Sequence, residues 1–105
     1  VKADLLNANL SEAKFQVQVI QLAEMLDWNW YHTKDSRKSN EGFPDLCFWR
    51  ERVLWMELKK ESGVCTPCQL RCHSELIEAG AEVYVFKPSQ FALIQAVLEK
   101  RRKPE

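Results

Sequence analysis

This sequence predicts a mixed α/β domain, with one sheet covered by helices on both faces. Three observations lead there. Apolar periodicity gives the element order α-β-β-β-α-β-α. Three consecutive strands call for antiparallel hairpins, and the later β-α-β crossover calls for one parallel pair. The 105 residues suit a single domain, and a chain of that size buries enough of itself to fold without staples.

Residues 1–10 read as an N-terminal extension. Ser11 to Asp27 is the first helix, capped by Ser11, with Phe15, Val19, Leu22 and Leu26 at helical spacing. Glu12 lies at the mouth of that stripe. Trp28 to Thr33, rich in aromatic and β-forming residues, is the first strand. Lys34 to Gly42 is a polar loop. Asp45 to Trp49 and Val53 to Lys59 are two strands joined by a tight turn at Arg50-Glu51-Arg52. Thr66 to Ala79 is the second helix, because Thr66 suits the cap, Pro67 the first position and Gly80 the stop. Ala81 to Phe86 is a strand. Ser89 to about Lys100 is a closing amphipathic helix, and residues 100–105 form a basic tail.

Composition narrows the class. Hydrophobic residues make up 46% and charged residues 29%, values that exclude a disordered chain or a rod. No apolar run approaches the roughly 18 residues of a membrane span, and VKADLLNANLSEAK lacks a signal peptide's core. A soluble, cytoplasmic protein is expected. Fifteen basic and fifteen acidic side chains cancel. A strongly basic surface is therefore not the argument for any nucleic-acid partner, although sorted charges would still permit one.

The Asp45–Lys59 hairpin carries the most chemistry. A three-residue turn sets Trp49 opposite Val53, Cys47 opposite Trp55 and Asp45 opposite Glu57, with Lys59 on the same face. The other face is uniformly apolar: Leu46, Phe48, Leu54, Met56 and Leu58. Two carboxylates about 5 Å apart repel by roughly 3 kcal/mol at an effective dielectric near 20. A divalent cation would neutralise such a pair, and carboxylate oxygens are the ligands Mg²⁺ prefers. The alternative is a solvated stripe of charge. Glu57 lies within the apolar run VLWMELK, and a buried charge needs a partner.

Taken in order, Glu12, Gly42-Phe-Pro-Asp45, Glu57-Leu-Lys59 and Thr66-Pro-Cys-Gln69 resemble the PD-(D/E)xK nuclease superfamily, and within it the VRR-Nuc family of virus-type replication-repair nucleases. The resemblance runs from about Ser11 to Val97. It implies a restriction-endonuclease-like αβββαβ core, a mixed sheet flanked by helices plus a C-terminal helix, with a nuclease domain over residues 11–99. It implies that Asp45, Glu57 and the backbone carbonyl of Leu58 bind a catalytic Mg²⁺ or Mn²⁺. Glu12 would be a further ligand or act through an intervening water. Lys59 would orient or help deprotonate the attacking water, and Gln69 would position water or substrate. Each residue also has a plainer role. Glu12 suits the first turn of a helix, Gln69 completes a capping box with Thr66, and Lys59-Lys60 could be a solvated pair.

The resemblance further implies a structure-selective DNA endonuclease, a Holliday-junction resolvase acting as a homodimer on four-way junctions, with no organic cofactor. Lys34, Arg37, Lys38, Lys60 and Arg71 would contact DNA, together with the tail residues Lys100, Arg101, Arg102 and Lys103. Leu5, Leu6, Trp28 and Trp30 are apolar candidates for the dimer contact, and core burial explains them equally well. A flap or nicked-DNA nuclease is the enzymatic alternative. A non-catalytic, zinc-stabilised DNA-binding module is the other, since Cys65, Cys68, Cys72 and His73 offer four ligands for one tetrahedral zinc. Against zinc, Cys68, Cys72 and His73 fall inside the predicted helix.

Overall fold

The computed structural model describes residues 2–33 and 42–102. Its elements are α1 (Lys2–Asn9), α2 (Glu12–Met25), β1 (Asn29–His32), β2 (Leu46–Trp49), β3 (Val53–Leu58), α3 (Pro67–Glu78), β4 (Val83–Phe86), a 3₁₀ turn (Pro88–Gln90) and α4 (Phe91–Glu99). The predicted order therefore holds, with α1 added in front. That helix shows no apolar stripe in the sequence. Its Leu5 and Leu6 are 64% and 65% exposed, so periodicity could not reveal it.

The sheet order is β1-β2-β3-β4. The first three strands are antiparallel, and β3 and β4 run parallel across the α3 crossover. Trp49 pairs with Val53 and Cys47 with Trp55, the predicted register. All five apolar residues of the inner face, Leu46, Phe48, Leu54, Met56 and Leu58, are fully buried. They pack with Phe15, Val19 and Ala23 of α2 and with Ile94 and Leu98 of α4. Each such side chain contributes about 1.5–3 kcal/mol on burial, so a one-residue slip of β3, turning its whole set outward, is strongly disfavoured. Helix α3 lies on the other face, the one to which Glu57 points.

Local chemistry fixes the helix ends. The Ser11 hydroxyl accepts from the Lys14 N–H at 3.1 Å. Helix α2 stops where Asp27 takes φ +67°, while the Trp28 N–H reaches back to the Ala23 carbonyl at 2.9 Å and the Asp27 N–H to Glu24 at 3.1 Å. That is the Schellman pattern, built on Asp where Gly is usual.

The Arg50-Glu51-Arg52 turn does more than reverse the chain. Arg50 donates to the Leu26 carbonyl at 2.7 Å and Arg52 to the Val97 carbonyl at 2.7 Å, and both reach the Lys100 carbonyl. Both guanidinium groups lie over the Trp28 ring. Arg52 also forms a buried ion pair with Glu82 at 3.1 Å. One turn thus holds the C-terminal ends of α2 and α4. Trp28 belongs to this cluster and donates its indole N–H to the Leu98 carbonyl at 2.8 Å. At 3% exposure it is core and offers no dimer surface.

Candidate active site

At the opposite end of the hairpin three carboxylates meet. Glu12 opens α2, Asp45 stands at the bend before β2, and Glu57 is near the end of β3. One oxygen from each lies within 4.8 Å of the others. Glu12 is exposed, Asp45 half-buried and Glu57 fully buried. The Thr33 hydroxyl donates to the Pro44 and Asp45 carbonyls at 3.0 and 3.1 Å, which ties the Asp45 bend to the end of β1. A crevice of about 330 Å³ opens beside Asp45, lined by Glu12, Ala13, Gln16, His32 and Asp45.

The bend is braced from behind. Gly42 has φ +85°, and a Cβ there would lie 2.3 Å from the Cys68 carbonyl oxygen. Only glycine allows this loop to lie against the first turn of α3. Phe43 packs edge-on against Trp55, with ring centroids 4.8 Å apart. The capping box of α3 is complete. The Thr66 hydroxyl accepts from the Gln69 N–H at 3.1 Å, and Gln69 Oε1 accepts from the Thr66 N–H at 2.8 Å. The amide nitrogen of the same Gln69 donates to Glu57 Oε2 at 3.4 Å. Capping and site contact are two ends of one side chain.

Burial, followed by the hydrogen bond and charge of Asp45, pushes the Glu57 carboxyl up to about 9; Lys59 opposes this and Glu12 adds to it. Lys59 is half-buried, and its charge also reaches His73 and Cys65. His73, from α3, is only 5% exposed, with its Nε2 3.6 Å from Glu57 Oε1. Burial and the Lys59 charge push its imidazole below the usual range, and Asp45 opposes them. Sequence reasoning weighed His73 only as a zinc ligand. Its four-residue spacing from Gln69 is the signal that would have placed it here.

The remaining predicted contacts are dispersed. Lys60 is exposed just past β3. Arg71 is exposed on α3 two residues beyond Gln69, about 200° around the helix from it. Lys100, Arg101 and Arg102 are at the turn end of the hairpin, where Arg101 and Arg102 border a cleft with Glu51 and Arg52, roughly 15 Å of strand from the acids. Lys34, Arg37, Lys38 and Lys103 lie outside the described residues. Among the described residues the one His, Cys or carboxylate group of three arranged to hold a metal ion is Glu12, Asp45 and Glu57. Cys65, Cys68, Cys72 and His73 do not form one.

No protein-family model matches the chain, and no curated protein does. Among solved structures, one described as a VRR_NUC domain superposes with a TM-score of 0.71 at 26% identity, over 87% of this chain and 97% of that one. That likeness supports membership of the VRR-Nuc family. The chain's fold is restriction-endonuclease-like, as the resemblance implied, and has the mixed, helix-flanked sheet that the element order predicted. A VRR_NUC domain implies a nuclease of the PD-(D/E)xK type, a class that characteristically works with divalent metals.

Proposed function

We propose that this VRR-Nuc protein is a divalent-metal-dependent, structure-selective DNA endonuclease that cuts four-way junctions as a homodimer in the cytoplasm. One observation carries the catalytic part: three carboxylates converge within 4.8 Å, and one of them, Glu57, is fully buried. A fold tolerates such a group where a cation completes it. Three hard oxygen donors suit Mg²⁺ or Mn²⁺ better than a softer metal.

Asp45, Glu57 and the Leu58 carbonyl would hold the ion, with Glu12 as a further ligand. When bound, it supplies a more acidic water and neutralises charge on the phosphate. The chain's own residues do the rest. Lys59, on the same face as Glu57, orients the attacking water and stabilises negative charge developing on the phosphate oxygens. Gln69 holds the Glu57 carboxylate through its amide nitrogen and would position water or substrate. Glu12, exposed at the rim of the crevice, leaves a solvent route open for substrate.

Paired incision of a junction needs two sites, and a twofold dimer supplies them. Leu5, Leu6 and Trp30 remain exposed as candidates for that contact. Labelled four-way junction, flap and linear duplex DNA, incubated with Mg²⁺, Mn²⁺ or EDTA, test the reading. Asp45→Asn and Glu57→Ala serve as controls. Symmetric, metal-dependent nicks in the junction, absent in both variants, are expected. Cleavage of flaps alone would keep the residues and replace the substrate. No cleavage by folded wild type would overturn the proposal.

A further inference from the structure

Glu57 has two carboxylate oxygens, and α3 addresses both. Gln69 and His73 share one face of that helix. Gln69 donates to Oε2 at 3.4 Å, and His73 Nε2 stands 3.6 Å from Oε1. Among the described residues, neither His73 nitrogen nor Glu57 Oε1 has a hydrogen-bond partner. Three buried polar atoms in this condition cost about 1–3 kcal/mol each. Leucine or phenylalanine would fill the same space without that cost, so packing alone does not account for an imidazole here.

We propose that His73 is a positioning residue: its Nε2–H donates to Oε1 of the ionised Glu57, opposite Gln69, and so fixes the plane of the carboxylate toward Asp45 and Glu12. This rests on the cation site proposed above. The 3.6 Å separation becomes an ordinary hydrogen bond, about 2.9 Å, after a shift of less than 1 Å, and a charged acceptor draws its donors closer. Gln69 Nε2 also stands long of that value, so both donors tighten together. Partners behind a ligating carboxylate typically alter metal affinity by about 10–100-fold.

Mn²⁺ titration followed by electron paramagnetic resonance of the free ion reads this without DNA or turnover. Wild type, Glu57→Gln, His73→Leu and His73→Gln are compared, each checked for folding by circular dichroism. His73→Leu should bind Mn²⁺ about 10-fold more weakly or worse. His73→Gln, whose amide nitrogen reaches the place of Nε2, should restore binding to within a few-fold of wild type. His73→Met replaces the leucine variant should that fail to fold. Folded His73→Leu binding as wild type does would overturn the proposal, and so would equal losses in the leucine and glutamine variants. Equal binding by wild type and Glu57→Gln would instead overturn the cation site itself.

Discussion

Glu57→Gln should make the metal-free protein more stable while abolishing its activity. At no more than 4.8 Å, two ionised carboxylates in this cluster repel by about 3 kcal/mol at an effective dielectric near 20. The protein avoids that by keeping Glu57 protonated, with burial as the leading cause and the carboxyl pushed up to about 9. The sign follows from linkage. Above the ordinary carboxylate range the unfolded chain has released this proton and the folded one has not. Stability is therefore full at low pH and is lost as pH rises toward 9. The limiting slope for one proton is about 1.4 kcal/mol per pH unit. His73, with its imidazole pushed down, adds stability as pH rises to its ordinary value and nothing beyond. The thiols of Cys47, Cys65 and Cys72 are pushed up from about 9. The interval from pH 7 to 8 therefore belongs to Glu57. In EDTA the Tm of wild type should fall across it by roughly 5–10 °C. Glu57→Gln should be flat there and melt higher at pH 8. Mg²⁺ should raise the wild-type Tm and leave the variant unchanged. A wild-type profile in EDTA that parallels the variant's would refute the reasoning.

Gly42→Ala forces a side chain onto the Cys68 carbonyl at positive φ; a loss of about 2 kcal/mol or more is expected in denaturant melts, with activity falling because Asp45 follows the loop. Thr66→Ala and Gln69→Ala separate capping from chemistry. The first should cost about 1 kcal/mol of stability and little activity. The second should lower specific activity well beyond its effect on Tm. Arg52→Ala removes the charge partner of the buried Glu82, leaving it the Tyr84 hydroxyl, and uncaps α4, at about 3–5 kcal/mol. Assayed well below its melting point, the folded variant should keep wild-type kcat, because the turn lies at the far end of the hairpin.

What the sequence revealed was what local patterns encode. The β2–β3 register was legible because five apolar residues alternate without a break, so only one register buries them all. Thr66-Pro67 and Gly80 marked the ends of α3 because capping is read within one turn. The capping box of Gln69 with Thr66 is equally local, whereas the reach of the same side chain to Glu57 depends on a partner twelve residues away. Features that depend on distant partners were hidden. Nothing near Arg50 or Arg52 announces that they hold the ends of two helices. His73 looks like any polar helical residue until Glu57 is placed across from it. Helix α1 has no apolar face from which to read a period.

These particulars explain why the site is built where α3 begins. The first turn of α3 is in contact with the Gly42 loop, which leads into Asp45, and with Glu57 through Gln69. Two of the three carboxylates are thus referenced to a single turn, itself held by its capping box. Glu12 comes from the N-terminal end of a different helix, whose position is set by the core through Phe15, three residues on. Asp45 and Glu57 should therefore move together when the α3 cap is loosened, and Glu12 should not. Thr66→Ala combined with Gln69→Ala should weaken Mn²⁺ binding more than the two single changes do in sum, since each alone leaves the other half of the box in place. Strict additivity would mean that the cap and the carboxylates are independent.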